Sequence, residues 1–439
     1  MVSVGARILV TLTLALGVSS WAKSVGGKPL AMSPMKKATF LNFPVLPKET
    51  MDRAAGRAIV KQTSKTYDSM LSRDWALVSI GFFEAFTPLI QPVKSQTESC
   101  ASSVVVAVVD TGIDYTHPEL QNNVWVNSAE VGAWEPPAAY LFMTSCRDKS
   151  CNGIDDDNNG YVDDVAGWDF VNEVPLPYDV HGHGTHIAGI IASQPSNNVG
   201  MVGVCPQVSI MALKYYDNSG LGYNNLQNTV RAIQYAVRMG AHIINYSGGG
   251  SEPAPSEKSA IEEARRKGIL FVAAAGNEGR NNDKFPYYPA SYELDNIISV
   301  ASIAKDNQLL PSSNYGIKSV HVAAPGLGIL SALPLGKFGT MSGTSQATAF
   351  VTGAAALLVS QYKDKSQFDY RRVREWIQGS AKPIPQMDIT KKLTYGLLSI
   401  PKSLALSQTD LNQPRLVTKP VKAPEIALNP DKKTEVKAR

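Results

Sequence analysis

An α/β fold of three layers, with a mostly parallel central sheet between helices, is predicted by three observations. Short, largely apolar runs at 104–109, 208–213, 242–246, 269–274 and 297–301 have the Val, Ile and Ala content of strands buried on both faces. Stretches with the 3.6-residue apolar period of helices, at 184–192, 226–239, 257–267, 345–362 and 368–379, alternate with or follow those runs. Polar, glycine-bearing boxes stand directly after two of the runs. Strands alternating with helices imply crossover connections, and sites in such sheets form at the carboxyl ends of the strands.

The chain begins with Arg7, an apolar run at 8–18 and the small residues Ser20 and Ala22, which reads as a signal peptide (1–22) cleaved after Ala22. Its alternative, a membrane anchor or core segment, is opposed by length: at about 1.5 Å per residue the run cannot cross roughly 30 Å of hydrocarbon. Nothing later approaches ~18 uninterrupted apolar residues, so a secreted or periplasmic protein with no stable membrane insertion is expected. Residues 23–70 are basic and weakly periodic and read as a pro-segment or flexible leader. A catalytic domain is expected at 71–405. From Pro401 onward there are five prolines, no aromatic residue and no glycine, so 406–439 reads as a disordered Pro/Lys-rich tail.

Charge divides the same way. Residues 1–99 carry 12 basic and 6 acidic side chains, 100–400 carry 22 and 28, and 401–439 carry 8 and 4. The formal net charge of +4 therefore resides in the flanks, and it gives no support to nucleic-acid binding by the acidic middle. Four cysteines, Cys100, Cys146, Cys151 and Cys205, suit an oxidising compartment and allow three full pairings. Cys146 and Cys151, which close a small loop, are the first expected pair; neither spacing is the C-x2-C of a zinc site.

Three boxes carry chemistry. Asp110-Thr111-Gly112 ends the first strand and puts a carboxylate at the sheet's crevice. An aspartic protease would need a second such box to share a proton, and there is none. His181-Gly182-His183-Gly184-Thr185-His186 opens a helix, where the macrodipole is expected to lower the pKa of His183 and keep it a neutral base. Zinc is disfavoured because the glutamate of an HExxH helix is missing. Gly343-Thr344-Ser345 begins a small-residue helix whose exposed N–H groups could receive an oxyanion. A fourth element, Ala275-Gly276-Asn277-Glu278, offers a side-chain amide at another strand end. Taken singly, each has a plain reading as a turn or a helix cap.

Together, in the order Asp, His, Ser, the boxes Val109-Asp110-Thr111-Gly112-Ile113-Asp114, His183-Gly184-Thr185-His186-Ile187-Ala188-Gly189 and Gly343-Thr344-Ser345 resemble the subtilisin-like serine proteases. Ser312-Ser313-Asn314-Tyr315-Gly316 and Val322-Ala323-Ala324-Pro325-Gly326 extend the resemblance, which runs from about Trp75 to about Ala405. It implies a subtilisin-like fold and an exported serine endopeptidase acting on peptides or proteins as a monomer. Ser345 would be the nucleophile, His183 the base, Asp110 its orienting carboxylate and Asn277 an oxyanion donor. Substrate would bind as an added strand between Gly220-Leu221-Gly222 and Ser247-Gly248-Gly249, where glycines admit a close backbone. No acidic pair stands in those segments, so basic-site processing is not indicated and broad or apolar preference is the default.

Two departures matter. After the nucleophile the family usually carries Met-Ala and then a proline, whereas this chain has Gln346, Ala347, Thr348, Ala349 and Phe350; a looser first helical turn is expected. The leader is also short for an inhibitory propeptide, and a maturation cut at 48–73 is expected. These departures leave two other readings open: a calcium-stabilised pseudoprotease or binding module, and a peptide ligase or processing enzyme on the same scaffold.

Finally, Asp155-Asp156-Asp157-Asn158-Asn159-Gly160-Tyr161 matches the front of a calcium loop, with alternate oxygen ligands and a glycine turn. Asp155, Asp157, Asn159 and the Tyr161 carbonyl are the expected ligands of a structural calcium ion. Position twelve is Ala166, so Asp163 or Asp164 would have to close the site. The same Asp-rich insertion in calcium-dependent subtilases supports this expectation by resemblance.

Overall fold

The computed structural model describes residues 74–85, 100–135, 146–195, 197–216, 224–384 and 393–412. The expected signal peptide, the leader, Gly220, Leu221 and Gly222 lie outside them.

A short helix, α1 (Trp75–Ser79), precedes strand β1 (Val105–Asp110). Then come β2 (Gly167–Asp169), α2 (His183–Ala192), β3 (Ser209–Lys214), α3 (Asn225–Arg238), β4 (Ile243–Tyr246), α4 (Pro255–Arg266) and β5 (Leu270–Ala274). The chain continues through β6 (Ile297–Ile303), β7 (Val322–Pro325), the antiparallel hairpin β8 (Ile329–Leu333) and β9 (Lys337–Met341), and α5 (Thr344–Ser360). It closes with α6 (Tyr370–Gly379), β10 (Gly396–Leu397) and α7 (Ile400–Asn412).

Eight strands form one parallel sheet in the order β10-β7-β6-β5-β4-β1-β3-β2. Strand periodicity sends alternate side chains to opposite faces. Val106 and Val108 of β1 join Ile187, Ile190 and Ile191 of α2 and the small-residue face of α5 in one core cluster. Ala107 and Val109 join Ile233 and Ala236 of α3 and Ile261 of α4 in another. Helices thus cover both faces, the three-layer arrangement that the continuous apolar strands require. Because β3 lies on one side of β1 and β4 on the other, the chain reverses its direction of winding at β1. The crevice beyond the β1 and β4 carboxyl ends is therefore the switch point at which open α/β sheets place their sites.

The predicted strands and helices match the observed ones to within two residues at each end. Not foreseen were β2, β7, the β8–β9 hairpin, β10, α1 and α7, all short or amphipathically weak. The reading of a tail from residue 406 needs correction: α7 runs to Asn412. Pro401 sits in its first turn, where no intrahelical N–H is lost. Beyond it, Asp410 accepts from Trp376 Nε1 (2.9 Å) and Arg372 (2.7 Å) of α6, while Ile400 N–H bonds Ile80 O (3.0 Å).

The expected loosening after Ser345 is also absent. The α5 helix starts at Thr344 and continues unbroken to Ser360, Thr348 Oγ1 bonding Thr344 O at 2.8 Å and Phe350 buried in the core. Cys146 and Cys151 are bridged, as are Cys100 and Cys205, with Cα separations of 5.9 and 5.5 Å. Among the described residues no helix is long and apolar enough to cross a membrane.

Candidate active site

Asp110 is the last residue of β1 and is buried, its Oδ1 accepting from Thr111 N–H at 2.8 Å. His183 opens α2, and its Nδ1 lies 2.7 Å from the same oxygen. A carboxylate can only accept, so Nδ1 carries the proton, and in the neutral ring Nε2 is left able to accept one. The approach is as close as the glycines allow: a Cβ on Gly184 would stand 3.1 Å from Asp110 Cβ.

The His183 pKa differs from the sequence expectation. Burial lowers it, but the charge and hydrogen bond of Asp110, with Asp179 adding, outweigh burial and raise it above the ordinary 6.5. A carboxylate in contact acts more strongly than the diffuse positive end of a helix.

Asp179 was not singled out by sequence, yet it organises this corner. Its carboxylate accepts from Thr111 Oγ1 (3.0 Å), His181 N–H (2.9 Å), Gly182 N–H (2.8 Å), and Thr185 N–H and Oγ1 (2.9 and 2.7 Å). Thr111 Oγ1 in turn accepts from Gly184 N–H (2.9 Å). One buried carboxylate thereby caps α2 and ties it to the residue beside Asp110. Its only sequence signal was an aspartate four residues before His183.

Ser345 lies in the first turn of α5, 7% exposed, with Oγ donating to Ser247 O at 3.3 Å. Ser247 follows β4, whose Tyr246 pairs with Val109 of β1, so Ser247 and Asp110 face each other across adjacent strands. Adjacent strands lie about 4.8 Å apart, which brings Ser345 to the crevice that holds His183. Asn277 follows β5, the next strand; its Oδ1 accepts from Thr344 N–H (2.9 Å) and Oγ1 (3.1 Å). With Oδ1 so held at Thr344, the Nδ2 donor end of the amide is left at the start of α5. Asn314 secures this loop: its Oδ1 accepts from Glu278 and Arg280 N–H, and its Nδ2 bonds Ala275 O and Glu278. The arrangement holds a hydroxyl, an oriented imidazole and an amide donor in one crevice, the parts needed for acyl transfer.

Of the expected substrate segments, Ser247, Gly248 and Gly249 lie at the crevice, while Gly220, Leu221 and Gly222 fall outside the described residues.

The acidic loop is organised by its own hydrogen bonds: Asp155 accepts from Asn159 and Gly160 N–H, Asp157 from Asn159 N–H, and Asn159 Oδ1 from Tyr161 N–H.

 Gly160, at φ 94°, supplies the turn.

Two of the carboxylates that meet, Asp155 and Asp157, were expected, and the third was not. Oxygens of Asp155, Asp157 and Glu130 lie within 4.8 Å of one another. Glu130 is buried; its Oε1 accepts from Asp156 and Asp157 N–H, and its Oε2 has no partner among the described residues. Burial first, then Asp164 and Asp156, push its pKa up to about 7.

Neither Asp163 nor Asp164, the residues expected to close the site, belongs to that trio, although Asp164 shares the Asn127 and Asn159 amides with Asp157. Asp163 accepts from Gly153 N–H, and Asp164 is buried against Tyr235 Oη (2.5 Å) and the amides of Asn127 and Asn159. Glu130 stands 25 positions before Asp155 in sequence and carries no local motif, so only the fold reveals it. A hard cation suits this oxygen-only set and would satisfy the unpartnered Glu130 oxygen.

Residues 101–414 match Peptidase_S8, the subtilase family. The chain is 33% identical to Subtilisin-like protease 1 of Plasmodium berghei (strain Anka) over 281 residues, 60% of this chain and 44% of that protein. It is 36% identical to Thermitase of Thermoactinomyces vulgaris over 265 residues, 60% of this chain and 78% of that protein. It is 32% identical to the Major intracellular serine protease of Bacillus subtilis (strain 168) over 308 residues, 69% and 83% of the two chains. The match thus spans less than half the length of the Plasmodium protein. With the family match running from ahead of β1 to beyond α7, the chain belongs to the subtilase family.

Proposed function

We propose that this protein is a serine endopeptidase that cleaves peptide bonds through an acyl-enzyme on Ser345. The observation that carries the reading is the 2.7 Å bond between His183 Nδ1 and Asp110, set at the crevice that also holds Ser345. In this reading Ser345 Oγ attacks the scissile carbonyl while His183 Nε2 takes its proton. His183 then gives that proton to the leaving amine, and a water repeats the sequence to release the acid. Asp110 holds the imidazole's orientation and stabilises its charged form. Asn277 Nδ2 and the Ser345 N–H receive the oxyanion. Substrate backbone lies along Ser247, Gly248 and Gly249 as an added strand.

The proposal extends to an exported monomer, made with a signal peptide and a leader removed on maturation. It also includes a structural calcium ion held by Glu130, Asp155 and Asp157, with Asn159 and Tyr161 in the supporting turn. A bound divalent ion would offset the repulsion among these carboxylates.

A fluorophosphonate probe tests the central claim. A covalent adduct on Ser345 of the matured protein, lost in Ser345→Ala, is expected; a matured protein that takes no label would favour a binding module instead.

A further inference from the structure

Two segments flank the nucleophile. One follows β4 and is joined to Ser345 through Ser247 O; the other follows β5 and is joined to the start of α5 through Asn277. Since β4 and β5 are paired neighbours, these segments leave the sheet side by side. The gap between the two segments therefore opens beside Ser345.

That gap holds a tyrosine ring. A Cβ on Gly249 would stand 2.5 Å from Tyr287 Cε1 and 3.0 Å from Cζ, and a Cβ on Gly276 would stand 2.9 Å from Tyr287 Cγ. The ring therefore spans from one segment to the other, against the backbone of both. Its own backbone is fixed: Tyr287 N–H bonds Ser291 Oγ (3.1 Å), and the adjacent Tyr288 exchanges hydrogen bonds with Gly250 (2.9 and 2.7 Å). The positive φ of Gly249 (155°) and of Gly276 (105°) brings both segments onto the ring.

We propose that Tyr287 sets substrate choice by filling the space next to the nucleophile, so that peptides with a small residue, Gly, Ala or Ser, before the scissile bond are preferred. This deepens the peptidase reading and rests on it. Displacing a ring wedged between two hydrogen-bonded segments opposes a large side chain, and excluded volume of this kind commonly discriminates by 10- to 200-fold.

The test uses the matured full chain and chromogenic peptides that differ only in the residue before the scissile bond. Wild type is expected to show kcat/KM for Ala at least 10-fold above Phe, on the order set by such packing. Tyr287→Ala should raise kcat/KM for Phe at least 10-fold and Ala by much less, whereas Tyr287→Phe should keep the wild-type ratio. Equal wild-type rates on Ala and Phe, or an unchanged ratio in Tyr287→Ala, would overturn the proposal. If Tyr287→Ala does not fold, the wild-type ratio and that of Tyr287→Leu decide the matter. Fluorophosphonate labelling separates the two levels: labelled Ser345 with an unchanged ratio sinks only the role of Tyr287, and unlabelled wild type sinks the peptidase reading as well.

Discussion

A charged pair within one hydrogen bond determines how the site responds to pH. Asp110 raises the His183 pKa above 6.5, so kcat/KM is expected to rise with pH along a limb centred above that value. The same proton has a stability sign: because the folded pKa is raised, its contribution is full below 6.5 and is lost as pH rises through the folded value. Asp110→Asn should shift the limb downward and cut turnover about 10⁴-fold; a pH–rate profile with an unmoved limb would show that Asp110 does not tune His183. Asn277→Ala should cost on the order of 100- to 1000-fold in kcat with little change in KM, read by steady-state kinetics. Asp110, His183, Asn277 and Ser345 were legible in the sequence because each sits in a box bound to a strand or helix end. Asp179 and Tyr287 were not, since their partners are groups that only the fold brings to them; Asn314 stood in a box that extended the resemblance, but its bonds to the Asn277 loop are visible only in the fold.

At the scale of elements, periodicity reported the long, one-sided or fully buried pieces and missed the short ones. β2 has three residues and β10 two, too few for a period to register. The α7 helix was hidden by proline content, which argues against a helix only when the proline lies beyond the first turn. In the acidic loop the turn chemistry was legible, but the third carboxylate was not, because Glu130 arrives from a separate 3-10 turn, Ser128–Glu130. If the loop holds calcium, EGTA should lower the melting temperature, and the stabilisation lost is about 2.7 kcal/mol where free ion stood at 100 times Kd. Glu130→Gln should shrink that EGTA effect, whereas Asp163→Asn should leave it nearly intact. Differential scanning calorimetry with and without chelator reads both, and an EGTA-insensitive wild type would remove calcium from the account.

For the whole molecule, the Cys100–Cys205 bridge spans 105 positions and ties the approach to β1 to the approach to β3. Closing a loop of about 100 residues is worth up to about 4.7 kcal/mol in the chain-entropy account. The Cys100→Ala/Cys205→Ala pair should therefore lower the unfolding midpoint clearly, while Cys146→Ala/Cys151→Ala, spanning 5 positions, should lower it less. Equal losses from the two pairs in denaturant titrations would contradict that ranking. The bond from Ile400 N–H to Ile80 O, at the other extremity, carries a consequence for processing. It seats α7 on α1, and α1 is capped by Asp74, whose carboxylate accepts from the Ala76 and Leu77 N–H groups. A maturation cut that removed Asp74 would uncap α1 and loosen the berth of α7 along with it. The maturation proposed above is thus constrained from residue 400 as well: a new N-terminus at or before residue 74 keeps both helices seated.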